Sequence, residues 1–105
     1  MGPGKAELID RIEQTGSISA AARAMGMSYR RAWQLVEALN ESYDEPVVIT
    51  AVGGRRGGGA SVTVFGKRLV TLFRAMEDKA SKAIAADLRR FAGLLRHPVR
   101  HRKRR

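Results

Sequence analysis

The sequence predicts a mainly helical fold that carries one small β-hairpin and closes on a long C-terminal helix. Three observations predict it. Between Lys5 and Ser42, apolar residues recur at helical spacing in three short blocks, punctuated by glycine and serine. A β-branched run, Val47 to Val52, follows Pro46 and is answered across a glycine-rich loop by Ala60 to Thr63. From Val64 an apolar stripe spaced at three and four continues to Leu95. With 105 residues, 44% of them hydrophobic, there is room for one small domain with its own core and a tail.

The first helix is expected over residues 5–15, after a turn-like Gly2-Pro3-Gly4. Leu8, Ile9 and Ile12 share one face among charges, and Gly16 suits the residue just past the end. Residues 17–27 form a second, alanine-rich unit with Ser19 as its N-cap. Ala21, Ala22 and Met25 are its apolar stripe, and Gly26 ends it. Ser28 then caps a third helix reaching about Ser42, with Ala32, Leu35, Val36 and Leu39 on one face. Two helices joined by a turn this short, with glycine in it, form a helix-turn-helix. Small alanine side chains let the second of them cross the first closely.

Pro46 blocks further helix, and the strand, loop and returning strand that follow make a hairpin with Val62 turned inward. Its tip, Gly53 to Gly59, holds five glycines and the pair Arg55-Arg56. Helix-turn-helix followed by a hairpin with a basic tip is the winged-helix plan. Thr63 caps the last helix, which would run from about Val64 to residue 92, roughly 40 Å at 1.5 Å per residue. Its stripe comprises Leu69, Leu72, Phe73, Met76, Ala80, Ile84, Leu88, Phe91 and Leu95. A domain this small cannot cover such a length. From about Asp78 onward the helix needs a partner, and the commonest is the same helix of a second copy. Leu69, Phe73, Met76, Ala80, Ile84, Leu88 and Phe91 are the expected dimerisation residues. Gly93 and Pro98 end the helix. The expected division is a DNA-binding domain at 1–63, a dimerisation helix at 64–95 and a disordered basic tail at 96–105.

Charge points to the partner. Lys and Arg number 20 against 10 Asp and Glu, a formal net charge of +10 with pI near 11.3. Six of the basic residues fall in the tail, which has no acid, so the preceding body carries +4. Such an excess suits a polyanion, most often nucleic acid. The chain has no cysteine, and His97 and His101 lie in the tail. Thiolate chemistry, disulfides, imidazole bases and His or Cys metal sites are thus withdrawn from the body. Glu7, Asp10 and Glu13 lie on a solvated helix, and Glu77 and Asp78 on the long one, with no paired arrangement for acid–base work. The glycine loop lacks the order G-x-x-x-x-G-K-[ST], so it is not a nucleotide cradle. The expectation is a non-enzyme with no cofactor and no metal. The chain shows neither a run of apolar residues long enough to span a membrane nor a secretory leader, so a cytoplasmic protein is expected.

Double-stranded DNA is the expected partner, and the contact residues follow from position in the motif. Tyr29, Arg30, Arg31 and Gln34 occupy the outer side of the third helix, whose first turn would enter the major groove. There Arg pairs with guanine and Gln with adenine. Trp33 borders the apolar face, where it can pack and still offer its indole N–H to a phosphate. Ser19 and Ser28 mark helix starts whose free amides suit phosphate. Arg55 and Arg56 would bring charge to the backbone or minor groove. Two other readings stay open: a nucleoid-like or RNA-binding protein using charge alone, and a subunit pairing with a related full-length regulator.

A family resemblance rests on particular residues. Gly16-Ser-Ile-Ser-Ala-Ala-Ala, continuing through Ser28-Tyr-Arg-Arg-Ala-Trp-Gln-Leu-Val-Glu-Ala-Leu-Asn40, resembles the DNA-binding domain of LysR-type regulators. SYRRAW, GGRRGGGA and VTVFGKRL look like one branch of it, the ModE-type molybdate-responsive regulators, over about residues 5–80. The resemblance implies a winged-helix transcription regulator that dimerises through its long helix. In that branch molybdate binds a separate C-terminal domain, for which 105 residues leave no room, so a chain lacking it is expected and no ligand is assigned.

Overall fold

The computed structural model describes residues 1–51 and 59–96 of the chain. Helices α1 (Pro3–Thr15), α2 (Ile18–Ala24) and α3 (Tyr29–Ser42) precede strands β1 (Val48–Ala51) and β2 (Gly59–Val62), and α4 (Val64–Ala92) follows. The architecture is therefore mainly helical with a two-stranded antiparallel hairpin, paired Val48 to Val62 and Ala51 to Gly59. The chain divides into a unit spanning Met1–Arg74 and a second beginning at Ala75.

Two starts differ from the sequence expectation. Helix α1 begins at Pro3 instead of residue 5, because proline with its fixed φ is a good first helical residue and needs no N–H there. Ser17, not Ser19, caps α2: its Oγ accepts the N–H of Ala20 at 3.0 Å while Ser19 lies exposed inside the helix. Ile18 explains the register. It is buried, and a helix beginning there puts Ile18, Ala21 and Ala22 on one face at i, i+3, i+4. The ends agree with expectation. Gly16 adopts φ 70° and returns its N–H to the Ile12 carbonyl at 2.7 Å. Gly26, at φ 67°, closes α2 with Met27 by bonds to the carbonyls of Arg23 and Ala22.

The core of the first unit is built from Leu8, Ile9 and Ile12 of α1, Ala21 and Ala22 of α2, and Ala32, Val36 and Leu39 of α3, with Val47, Val48 and Val62 closing it from the hairpin side. Alanine at the crossing lets α2 and α3 approach closely. Asn40 fastens α3 to the hairpin, donating to the Val48 carbonyl at 2.9 Å and accepting the N–H of Val47 at 2.8 Å. The hairpin is also tied to the corner between α1 and α2, where Ala60 N–H donates to the Gly16 carbonyl at 2.9 Å.

Thr63 opens α4 as expected. Its Oγ1 accepts the Gly66 N–H at 2.9 Å and donates to the Pro46 carbonyl at 2.7 Å. Gly66 must be glycine, since a Cβ there would lie 2.5 Å from the Val47 carbonyl oxygen. Only Gly66 and Val70 of α4 are buried; Phe65, Leu69 and Phe73 are half-buried against the core. Between Ala75 and Arg96 every residue is exposed except half-buried Ala85. The expectations for Val52, for the loop through Gly58 and for the tail from His97 lie outside the described residues.

Candidate nucleic-acid interface

The helix-turn-helix is closed by the Gly26 turn and by Ser28, whose Oγ accepts the Arg31 N–H at 3.1 Å. That bond fixes where α3 starts, and the start decides which residues face outward. Tyr29, Arg30, Arg31 and Gln34 are all exposed, opposite buried Ala32 and Val36. Trp33 is half-buried against the core, as its border position implied. Ser28 is exposed at the cap, and Ser19 is exposed on α2 beside exposed Arg23.

Charge is sorted along α3. The first two turns hold Arg30 and Arg31 and no acid, while Glu37 and Glu41 lie toward the other end, followed by Asp44 and Glu45. In the Met1–Arg74 unit the described ion pairs all draw on acids of α1: Arg11 with Glu7, Lys67 with Glu13 at 3.1 Å, and Arg74 with Asp10 at 2.8 Å. Among the described residues, Arg23, Arg30 and Arg31 enter no ion pair. The basic side chains on the α2–α3 face thus have no acidic partner among the described residues, whereas Arg11, Lys67 and Arg74 are engaged by the acids of α1. Arg55 and Arg56, expected at the hairpin tip, lie outside the described residues.

The expected dimerisation residues divide into two groups. Leu69 and Phe73 pack on the core of their own chain, while Met76, Ala80, Ile84, Leu88 and Phe91 are exposed. Among the described residues no cluster of three His, Asp or Glu side chains is placed to hold a metal, and no helix is long and apolar enough to cross a membrane.

Residues 5–67, which include this helix-turn-helix and the hairpin, match the bacterial regulatory helix-turn-helix proteins of the lysR family. The chain belongs to that family. Among its relatives, the molybdenum-pterin-binding protein MopB of Rhodobacter capsulatus is 43% identical over 82% of this chain and 32% of its own length. The molybdenum transport protein ModE of Azotobacter vinelandii is 39% identical over 73% of the chain and 28% of its own length. The chain thus spans about a third of the length of these relatives. In fold, it is similar to the DNA-binding domain of CbnR, solved as a DNA complex, at TM-score 0.62 and 18% identity over 89% of this chain and 99% of that one.

Within this lysR-family domain, sequence reasoning missed two positioning residues. Asn40 reads as one more polar residue near the end of a helix, and nothing in its neighbours signals that it spans to the hairpin. Gly66 did carry a signal, as an isolated glycine in the first turn of a helix with no need of a kink.

Proposed function

We propose that this chain is a sequence-specific DNA-binding transcription regulator, acting in the cytoplasm as a homodimer and catalysing no reaction. One observation carries the reading: the second helix of a lysR-family helix-turn-helix presents Arg30, Arg31 and Gln34 outward from its capped first turns, free of intramolecular ion pairs among the described residues. Family membership supports the DNA-reading role. The relatives' names support a place in molybdenum-linked regulation, carried here by a DNA-reading portion with its long helix.

In this reading Arg30, Arg31 and Gln34 meet base edges, and Tyr29 and Trp33 border the groove. Ser28 and Ser19 flank the phosphate backbone. Arg55, Arg56 and the basic tail add charge that any sequence can satisfy. Residues 1–63 read DNA, 64–95 hold the dimer, and 96–105 contribute sequence-independent affinity.

The test is selection of a preferred duplex from random DNA, followed by titration of selected and scrambled duplexes at several salt concentrations. The selected site should bind about 10³-fold or more tightly than scrambled DNA. Arg30→Ala and Arg31→Ala should each cost on the order of 1–3 kcal/mol on the selected site and relax base preference. Arg55→Ala and Arg56→Ala should weaken all duplexes alike and flatten the salt dependence. Equal affinity for every duplex, falling only with salt, would convert the reading to that of a charge-driven nucleic-acid binder.

A further inference from the structure

Beside the DNA-facing side of α3, the start of α1 and the turn that precedes α3 flank a groove of about 530 Å³. Its floor is apolar: Met25, Met27 and Leu35 line it, all half-buried. The Gly26 turn produces that floor. In an extended tripeptide Met25 and Met27 would project to opposite sides. Gly26 at φ 67° instead folds the chain back, with Met27 N–H donating to the Ala22 carbonyl at 3.0 Å, and both methionines line one groove. On the α1 side the rim holds Gly2 and Gly4, where a Cβ would meet no atom within 4 Å, so no side chain fills the space there.

Two cations share the groove with this floor. Lys5, half-buried, reaches it from the first turn of α1, and Arg31, exposed, from the first turn of α3. No acidic residue lines it, and among the described residues neither cation enters an ion pair. A mere gap in core packing would be lined by apolar groups alone, and a mere stretch of DNA track has no use for three apolar side chains. Sites for small organic ligands combine a volume of roughly 300–1,000 Å³, apolar walls and a few placed polar groups. Unbranched thioether side chains adapt to a flexible hydrocarbon chain, and no aromatic residue lines the groove to stack on a ring. An ammonium and a guanidinium together suit one carboxylate.

We propose that this groove binds a carboxylate carried on an unbranched hydrocarbon chain, the head on Lys5 and Arg31 and the chain along Met25, Met27 and Leu35, and that the bound carboxylate withdraws Arg31 from DNA. The regulatory half rests on the DNA-reading role given above; the binding half does not. One guanidinium cannot serve a carboxylate and a base edge at once, so ligand and duplex exclude each other, and each lowers the other's affinity by the same factor.

The probe is decanoate, with acetate and decanol as its head and its chain alone. Calorimetry on the full chain without DNA should find decanoate at one site, with acetate and decanol each about tenfold weaker or more. Lys5→Met keeps the stem and removes the charge, so decanoate should weaken about tenfold while the selected duplex binds as before. Gly4→Leu suits a helix better than glycine and sets a side chain at the open rim, so it should weaken decanoate about as much with the fold intact. Decanoate at about ten times its Kd should then raise the duplex Kd about tenfold in the unaltered protein and only about twofold in Lys5→Met. Decanoate binding untouched in both variants would place it elsewhere and overturn the site. Decanol binding as tightly as decanoate would overturn the carboxylate. Decanoate binding that the variants weaken, yet that leaves duplex affinity unmoved, would overturn the regulatory half. If no duplex is preferred, the DNA-reading role and the regulatory half fall together, and the calorimetry still decides the groove.

Discussion

Leu39 and Leu88 are each part of an apolar stripe at helical spacing, but Leu39 is 1% exposed and Leu88 51% exposed. The first belongs to the Met1–Arg74 unit, where α1, α2, α3 and the hairpin surround a common core; the second belongs to the unit that begins at Ala75, in which α4 is the only helix or strand among the described residues. The same periodicity therefore has two meanings. It identifies a face that must be covered, and is silent on whether the cover comes from the chain or from outside. Helix α4 contains both cases, since Val70 is buried by its own chain and Ile84 is not.

The largest effect that could break this comparison is a matched truncation. Leu39→Ala should destabilise the first unit by about 2–5 kcal/mol, because it empties a fully packed site. Leu88→Ala should leave unfolding of that unit unchanged in dilute solution and appear only as weaker self-association. Denaturant melts followed by the Trp33 fluorescence, at protein concentrations on both sides of the dimer midpoint, separate the two. Equal losses in dilute solution would show that the second unit is covered by its own chain after all. Ile84→Asp sharpens the same contrast, since a carboxylate buried without a partner in a helix pair is strongly unfavourable. It should yield a monomer with an undisturbed first unit, checked by sedimentation and by the same melt.

Next in size is Gly66. A methyl group there would press on the Val47 carbonyl oxygen, so Gly66→Ala should cost about 1–3 kcal/mol as overpacking. Gly93, whose Cβ would lie 3.4 Å from the Arg90 carbonyl oxygen, is the control, and Gly93→Ala should hardly register in the first unit's melt. Similar losses from both would mean that α4 enters the hairpin less tightly than its backbone contacts imply.

How much of this was legible in the sequence depends on whether the signal was local. Helix α3 could be read end to end because Ser28 is an unopposed cap and Pro46 an unambiguous stop. The outward set Tyr29, Arg30, Arg31 and Gln34 followed from that start alone. Thr63 and the bounds of α4 were readable for the same reason. The link from Asn40 to Val47 and Val48 was not, since it joins segments across a turn and depends on where the hairpin lands. The α1 start was not legible, because a Gly-Pro-Gly run suits a turn as well as a helix opening with proline in its first turn.

The smallest predicted effect concerns the one cap where two serines competed. Ser17 and Ser19 are equally able to cap, and local preference cannot choose between them. Core packing chooses: burying Ile18 requires α2 to begin there, which leaves Ser17 extended at φ −152°, ψ 129° with its Oγ on the Ala20 N–H. Ser17→Ala should therefore cost about 1 kcal/mol, and Ser19→Ala, an exposed change to the better helix former, should be neutral or slightly stabilising. DNA affinity distinguishes them in the opposite sense. If Ser19 meets the phosphate backbone as proposed, its loss weakens all duplexes alike while the melt stays put, whereas Ser17→Ala shifts the melt first. Parallel melts and duplex titrations of the two variants check this. A Ser19→Ala protein that lost stability and kept its DNA affinity would return the cap to Ser19 and remove that residue from the interface.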